Sequence, residues 1–392
     1  MSKVEYKNTL IKDIGRVVTG KTPETKKAEF YGNGYMFITP AELHDGYNVQ
    51  VSDKYITESG LQSIKSNCID GTSVMVGCIG WDMGNVAICH RKCATNQQIN
   101  SITDFNPKYN PFYTYYWLLT KKDYLFTIAS VTRTPILSKS TFEEIVIPMP
   151  DRSIQDNVVG ILKPIDDMIE NNKRICSELE AMAKTLYDYW FVQFDFPDEN
   201  GNPYRTSGGE MVWNEQLKRE IPKGWNVTNI GNLTTVVTGK EDANFSSPNG
   251  KYKFFTCSQE ALLCDTPAFS GQAVLIAGNG DFNVKHYSGE FNAYQRTYVL
   301  IPENQIYYGA MYISAKNQIQ AFKNGSNGSI VKFITKGDVE NIPFILPNDD
   351  SIFHQINKLI EKIELCEREN EELTKLRDWL LPMLMNGQAR VE

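Results

Sequence analysis

The chain has 392 residues, 41% of them hydrophobic, and a formal net charge of −7, which describes a soluble globular protein able to bury two or three cores of ordinary domain size. Its polar opening, MSKVEYKNTL, and the lack of any apolar stretch as long as a membrane span argue against a signal peptide or transmembrane helix and place the chain in the cytoplasm. The eight cysteines (Cys68, Cys78, Cys89, Cys93, Cys176, Cys257, Cys264, Cys366) include no C-x-x-C pair, as expected of reduced thiols.

In chain order, the first motif is GRVVTGKT, Gly15 to Thr22, which fits the phosphate-loop pattern G-x-x-x-x-G-K-[ST]. A working phosphate loop needs a buried strand before the first glycine and a helix opening at the Lys-Thr pair. Here NTLIKDI places Lys12 and Asp13 in that strand, and Pro23 removes a backbone donor just after Thr22. The motif also recurs without its chemistry. VVTGK stands at Val17 to Lys21 and again at Val236 to Lys240, where no Ser or Thr follows the lysine, so the segment reads as an architectural element of a duplicated domain.

Further correspondences keep the same order. GTSVMVGCIG (71–80) answers GQAVLIAGNG (271–280), TNQQINSI (95–102) answers AYQRTYVL (293–300), and FEEIVIPMP (142–150) answers VENIPFILP (339–347). Each copy begins with short β-rich segments punctuated by Gly, Asn and Thr, the pattern of an irregular sheet with loops, and each ends in a long helix. CHRKC, Cys89 to Cys93, has the look of half a metal site, but no second pair answers it, and buried small side chains are the preferred reading. NPFY, Asn110 to Tyr113, reads as a turn opening the aromatic helix FYTYYWLL. The four histidines (His44, His90, His286, His354) show no helical ligand spacing.

After Pro150, Ser153 can cap a helix with an apolar seam at Ile154, Val158, Ile161, Ile165, Met168, Asn172, Ile175, Leu179, Met182, Leu186 and Tyr189. After Pro347, Ser351 can cap a second, with Ile352, Ile356, Leu359, Ile363, Cys366, Asn370, Leu373, Arg377, Leu380 and Leu384. These are heptad seams in register, since Ser153 to Ser351 and Asn172 to Asn370 both differ by 198. Pro164 is expected to kink or split the first helix. An antiparallel pair would bring Asn172 and Asn370 together at mid-seam, where buried Asn fixes register. Two ordinary surface helices on separate domains are the alternative. The domains so predicted are 1–150, a spacer helix 151–194, a linker 195–217, a second domain 218–347 and a second spacer helix 348–392. The helix from Ile165 to Trp190 would span about 39 Å, slightly more than one turn of B-DNA.

The acidic excess lies in the helices and linker. Lys and Arg outnumber Asp and Glu by 16 to 14 in residues 1–150 and by 12 to 10 in 218–347. Mildly basic domains permit DNA binding but do not by themselves demand it.

Two repeated domains each followed by a long helix, together with LYDYWFVQFDFP (186–197), SGGEMVWNEQLKREIPKGW (207–225) and the paired TGK openings, resemble the specificity subunit of type I restriction-modification enzymes. The resemblance covers essentially the whole chain. It implies an α+β fold with two pseudo-symmetric target recognition domains, each an irregular β-rich sheet with short helices, joined by two long antiparallel coiled-coil helices. It implies a non-catalytic chain that binds double-stranded DNA at a bipartite site, one domain per half-site, and docks two modification (methyltransferase) subunits on its helices. S-adenosylmethionine would sit on those subunits, and ATP and Mg on partner restriction/translocase subunits where these are present. No N-P-P-[FY] methylase motif occurs, the nearest being NPFY.

Base edges are read by Arg, Lys, Asn and Gln, with Ser and Thr as adaptable donors, presented on loops. In the first domain the candidates are Lys21, Thr22, Trp81, Asn96, Gln97, Gln98, Arg133 and Thr134; in the second they are Lys240, Asn279, Asp281, Gln295, Arg296 and Asn327. For each, a solvated loop residue or turn former is the alternative. Two other readings of the chain stand beside this one, a two-headed protein scaffold that reads no DNA and a phosphate-loop nucleotide-binding protein.

Overall fold

The computed structural model describes residues 5–44, 46–131, 133–280, 282–325 and 333–388. The chain forms two compact units, one of Met1–Asn171 with Glu369–Glu392 and the other of Asn172–Arg368. The division falls inside both long helices, Arg152–Tyr187 and Ser351–Met385, and not at their ends.

In the first unit a four-stranded antiparallel sheet has the order Arg16–Thr19, Ile99–Thr103, Ser73–Gly77, Val86–Cys89. Alternation along the strands divides the side chains between two faces. Val74, Val76, Ile88 and Ile102 pack with Tyr113, Tyr116 and Leu118 of the helix Pro111–Leu119, while Val18, Met75 and Ala87 pack with Met36, Ile38 and Leu43. Asn110 caps that helix, its side chain accepting from the Phe112 and Tyr113 N–H groups, as the NPFY segment predicts. A second sheet runs Tyr55–Ile56, Tyr31–Ile38, Cys93–Thr95, Cys68–Ile69, with Tyr31–Ile38 parallel to Cys93–Thr95.

The second unit repeats this plan in one six-stranded sheet of order Val237–Thr238, Thr297–Leu300, Phe269–Ala277, Val284–Ala293, Tyr252–Phe255, Leu262–Cys264. Here Val284–Ala293 is one continuous strand, antiparallel to Phe269–Ala277 and parallel to Tyr252–Phe255. The equivalent path in the first unit is interrupted between Val86–Cys89 and Cys93–Thr95. CHRKC is therefore a break in a strand, with fully buried Cys89 and Cys93 whose Sγ atoms lie 3.7 Å apart. Each unit is closed by an equivalent antiparallel pair, Lys7–Leu10 with Val146–Met149 and Asn226–Asn229 with Pro343–Leu346.

GRVVTGKT is not a phosphate cradle. Arg16–Thr19 is a strand, and no helix opens at Lys21–Thr22. Gly20 is needed for another reason: a Cβ there would lie 2.1 Å from the Asn96 carbonyl oxygen and 2.3 Å from that of Thr95. Gly239 of the second VVTGK is as tightly placed, 1.8 Å from the Ala293 carbonyl oxygen. The motif recurs because two backbones must touch there.

Of the expected kink or split at Pro164, the split does not occur: the first long helix runs continuously from Arg152 to Tyr187. Pro164 and Gly160 both face solvent, so the carbonyl that Pro164 leaves without a helix donor is open to water, and Gly160 has no side chain to crowd the ring. Ser153 lies inside this helix, which starts two residues earlier on the Asp151 carbonyl; Ser351 is the first residue of the second helix, and its N–H and hydroxyl donate to Asp349. The seam also differs in phase. Val158, Ile165 and Asn172 are buried as expected, but Leu162, Ile169, Ala183 and Tyr187 replace Ile161, Met168, Met182 and Leu186 beside them, leaving Met168 46% and Met182 56% exposed. The buried face has turned toward the sheet-and-helix core that each half of the helix also covers. Residues 195–217, expected as a linker, carry Met211–Asn214, which pairs with Arg219–Pro222 as a hairpin.

Within each unit the two long helices run antiparallel. In the first, Asn370 Nδ2 donates to the Ile169 carbonyl (3.2 Å) and Arg377 Nη1 to Asp166 (3.0 Å), so higher numbers on one helix meet lower numbers on the other. In the second, the Cys176 thiol meets the Ile363 carbonyl at 3.7 Å. Asn172 is buried, and the Asn370 Oδ1 is buried without a partner. Replacing Asn172 and Asn370 together with Leu is expected to keep or raise stability, by up to about 1 kcal/mol, while loosening register. Chemical denaturation measures the first effect; hydrogen exchange along the two helices that is unchanged by the replacements would rule out the second.

Candidate nucleic-acid interface

The structure gathers most of the sequence candidates onto one edge of each unit, where Gly20 and Gly239 press against a turn. In the first unit the turn is Asn96–Gln98. Asn96 Nδ2 donates to Gln98 Oε1 (2.9 Å) and its Oδ1 accepts the Gln98 N–H (3.0 Å), while Thr22 Oγ1 donates to Gln97 Oε1 (2.7 Å). Lys21 and Gln97 are exposed beside it. The Gln98 carbonyl accepts the Cys78 N–H (2.7 Å), and the chain after Cys78 pairs onward, Gly80 N–H donating to the Pro135 carbonyl (3.0 Å). This sets Trp81, 71% exposed and leaning on Phe126, beside the exposed Arg133 and Thr134.

The second unit builds the same edge. Arg296 accepts the Gly278 N–H at its carbonyl (2.8 Å) as Gln98 does for Cys78, and the Gln295 N–H donates to the Glu241 carbonyl (2.8 Å). Lys240, Gln295 and Arg296 are exposed and Asn279 is half-buried next to Gly278. Asp281 and Asn327 lie outside the described residues.

Two features of this edge were not found from sequence. Beside Trp81, Asp82 pairs with Lys122 (3.0 Å) and His44 (2.8 Å), and Lys122 also donates to Asn85 (2.8 Å). The adjacent Lys122 holds the Asp82 carboxyl below its ordinary range. These four polar groups come from segments up to 78 residues apart in sequence, and only the folded chain unites them. The segment after Tyr31–Ile38 is the second. Asn96 N–H donates to the Ile38 carbonyl (2.9 Å), so Thr39–Leu43 adjoins the turn, pinned by Glu42, only 5% exposed, which accepts from Thr39 N (2.9 Å), Thr39 Oγ1 (2.7 Å) and Ser52 Oγ (2.7 Å).

Burial pushes the Glu42 carboxyl up, but those hydrogen bonds outweigh it and the net position is below the ordinary value. A depressed carboxyl contributes stability above its unfolded pKa and loses it as pH falls through the folded one. Glu42→Gln should therefore cost about 1–2 kcal/mol at pH 7, a deficit that closes on acidification below pH about 4. Denaturation midpoints of both proteins across that range test this.

The sequence and fold belong to a known class. The family model described as the type I restriction modification DNA specificity domain matches residues 3–181 and 222–375. The chain belongs to that family, in which it is the non-catalytic specificity component. It is 27% identical to the type I restriction enzyme MjaIX specificity subunit of Methanocaldococcus jannaschii, over 97% of this chain and 93% of that one. It is 34% identical to the EcoDI specificity subunit of Escherichia coli over 44% of this chain and 40% of that one. Its fold resembles the crystal structure of the type I restriction-modification S subunit from M. genitalium, with a TM-score of 0.60 and 15% identity over 98% and 97% of the two chains. Among the described residues no helix is long and apolar enough to cross a membrane.

Proposed function

We propose that this chain reads a split DNA sequence in the cytoplasm, one half-site per unit, and docks two modification subunits on its long helices. The observation that carries the reading is the recurrence of one loop edge, built by equivalent strands around Gly20 and Gly239, in both units of a specificity-family chain. Both edges present Lys, Gln and Arg side chains suited to base edges and phosphates. Phosphate contacts would position each unit, and the amide and guanidinium groups of Gln97, Arg133, Gln295 and Arg296 would discriminate bases in the major groove. Docking is supported by exposed apolar side chains on the helices, Met182 and Leu365 (60%) in the second unit and Met168 and Trp379 (63%) in the first. S-adenosylmethionine would be held by the modification subunits, and ATP with Mg by motor subunits where the system has them.

The test is co-expression with candidate modification subunits in a methylation-deficient host, followed by mapping of N6-methyladenine across its genome. A split motif with a fixed gap, lost when this chain is omitted, is the expected result. A purified complex that binds S-adenosylmethionine and yields no motif would refute DNA reading and favour the two-headed scaffold.

A further inference from the structure

In the second unit the strand Val284–Ala293, with the residue before it, sends two side chains to the segment following Tyr252–Phe255. Lys285 Nζ donates to the carbonyl oxygens of Thr256 (3.2 Å) and Ser258 (2.5 Å), and Asn283 Nδ2 to that of Cys257 (2.8 Å). Three successive carbonyls are thus held by side chains from a single neighbouring segment. The arrangement is costly. Burial pulls the Lys285 ammonium down to about 8, and Asn283, 9% exposed, leaves its Oδ1 without a partner.

What this clamp holds in place lies against the candidate interface. The Phe255 carbonyl accepts the Tyr294 N–H (2.9 Å), and the Cys257 thiol meets the Arg296 carbonyl (3.5 Å). The segment therefore adjoins the Gln295–Arg296 turn, with Ser258, Gln259 and Glu260 exposed. It occupies the place that Thr39–Leu43 holds beside Asn96–Gln98 in the first unit, where a buried carboxylate, Glu42, pins the chain. The same position relative to the turn is fixed in one unit by a buried carboxylate, Glu42, and in the other by a half-buried ammonium, Lys285.

We propose that Thr256–Glu260 is a base-reading loop of the second unit, with Gln259 and Ser258 as its reading side chains and Lys285 as its positioning residue. The inference rests on the DNA recognition proposed above. Gln259 presents a paired donor and acceptor suited to the adenine major-groove edge, and the Ser258 hydroxyl, which donates to the Glu260 carbonyl (2.8 Å) and meets Thr256 Oγ1 (2.7 Å) within the loop, can turn from these to either role. Lys285 reaches no base; it sets the loop by fixing its carbonyls, so its removal should act through Gln259 and Ser258.

The experiment uses the full chain co-expressed with its modification subunits, as wild type, Gln259→Ala, Ser258→Ala, Lys285→Met and Lys285→Arg. Methylation motifs are mapped, and competition binding uses duplexes carrying single changes in each half-site. Gln259→Ala, or Ser258→Ala at the base pair that Ser258 reads, is expected to lower discrimination about 10-fold at one or two base pairs of one half-site, leaving the other half-site and the gap unchanged. Lys285→Met should relax the same positions, and Lys285→Arg should recover part of the loss. Exposed Gln259 and Ser258 decide the matter even if Lys285→Met fails to fold. Unaltered motifs from both exposed variants would overturn the loop, and an unaltered motif from a folded Lys285→Met complex would overturn the positioning role. A wild-type complex yielding no split motif would instead overturn the proposed function itself.

Discussion

Alanine at Gly239 is expected to disable one half of the recognition surface and alanine at Gly20 the other. The new Cβ would stand 1.8 Å from the Ala293 carbonyl oxygen in the first case and 2.1 Å from that of Asn96 in the second. Both obstacles are backbone that cannot rotate aside, so the turn carrying Gln295 and Arg296, or Asn96 to Gln98, must shift. A cost of about 2–4 kcal/mol to the unit concerned follows from forced overpacking of this kind. If each unit reads one half-site, as proposed, the functional effect should be larger and local: binding loses discrimination at the half-site of the altered unit and keeps it at the other. Competition with duplexes scrambled in one half-site at a time measures this. Equal loss at both half-sites from either single variant would contradict the assignment of one half-site to each unit.

Arg377→Leu is expected to be the most destabilising single change in the helices. Asp166, 1% exposed, accepts Tyr116 Oη (2.7 Å) and Arg377 Nη1 (3.0 Å). Removing the guanidinium leaves a buried carboxylate with one neutral donor, at a cost of about 3–5 kcal/mol, or about 10 °C in Tm for a unit of this size. Burial already pushes the Asp166 carboxyl up, with Tyr116 and Arg377 holding it back. Without Arg377 it rises further. A folded-state pKa above the unfolded one favours the folded state as pH falls, so the variant's deficit should shrink on acidification. The double replacement Asp166→Leu with Arg377→Leu should regain most of the stability, because no charge is then left buried. Thermal unfolding of the wild type and the two variants across pH tests both points.

Arg377 also shows where sequence reading stops. It stands in the apolar seam as an apparent exception, and its heptad position says nothing of Asp166, 211 residues away. The buried carboxylates do repeat, since Asp166 and Glu364 share the 198-residue offset, and Glu364 accepts Tyr308 Oη (2.5 Å). Their partners do not: the Arg377 guanidinium serves one and the His286 imidazole, at 3.4 Å, the other. The duplicated units were legible because short motifs recur in the same order, and the long helices because a seven-residue period marks them. The strand order was not, because pairing Arg16–Thr19 with Ile99–Thr103 spans more than 80 residues and leaves no periodic trace. Gln97 and Gln295 were found because the turns recur in sequence. The Lys122, Asp82 and His44 cluster was missed because nothing local joins its members. CHRKC suggested metal because its spacing was visible, while the continuous strand that explains it lies in the other copy.

The first unit is assembled from the beginning of the chain and from its last stretch. Leu381, Leu384 and Met385 share a core with Val158, Val159 and Leu162, whereas every residue of the second unit lies between them. On the ribosome, then, the segment before the second unit is made earlier than its partner segment and waits for it. The second unit can close while synthesis continues, but the first must hold an unfinished hydrophobic surface until the final helix emerges. Termination immediately after Arg368 would remove part of the first unit and spare the unit nearest the break.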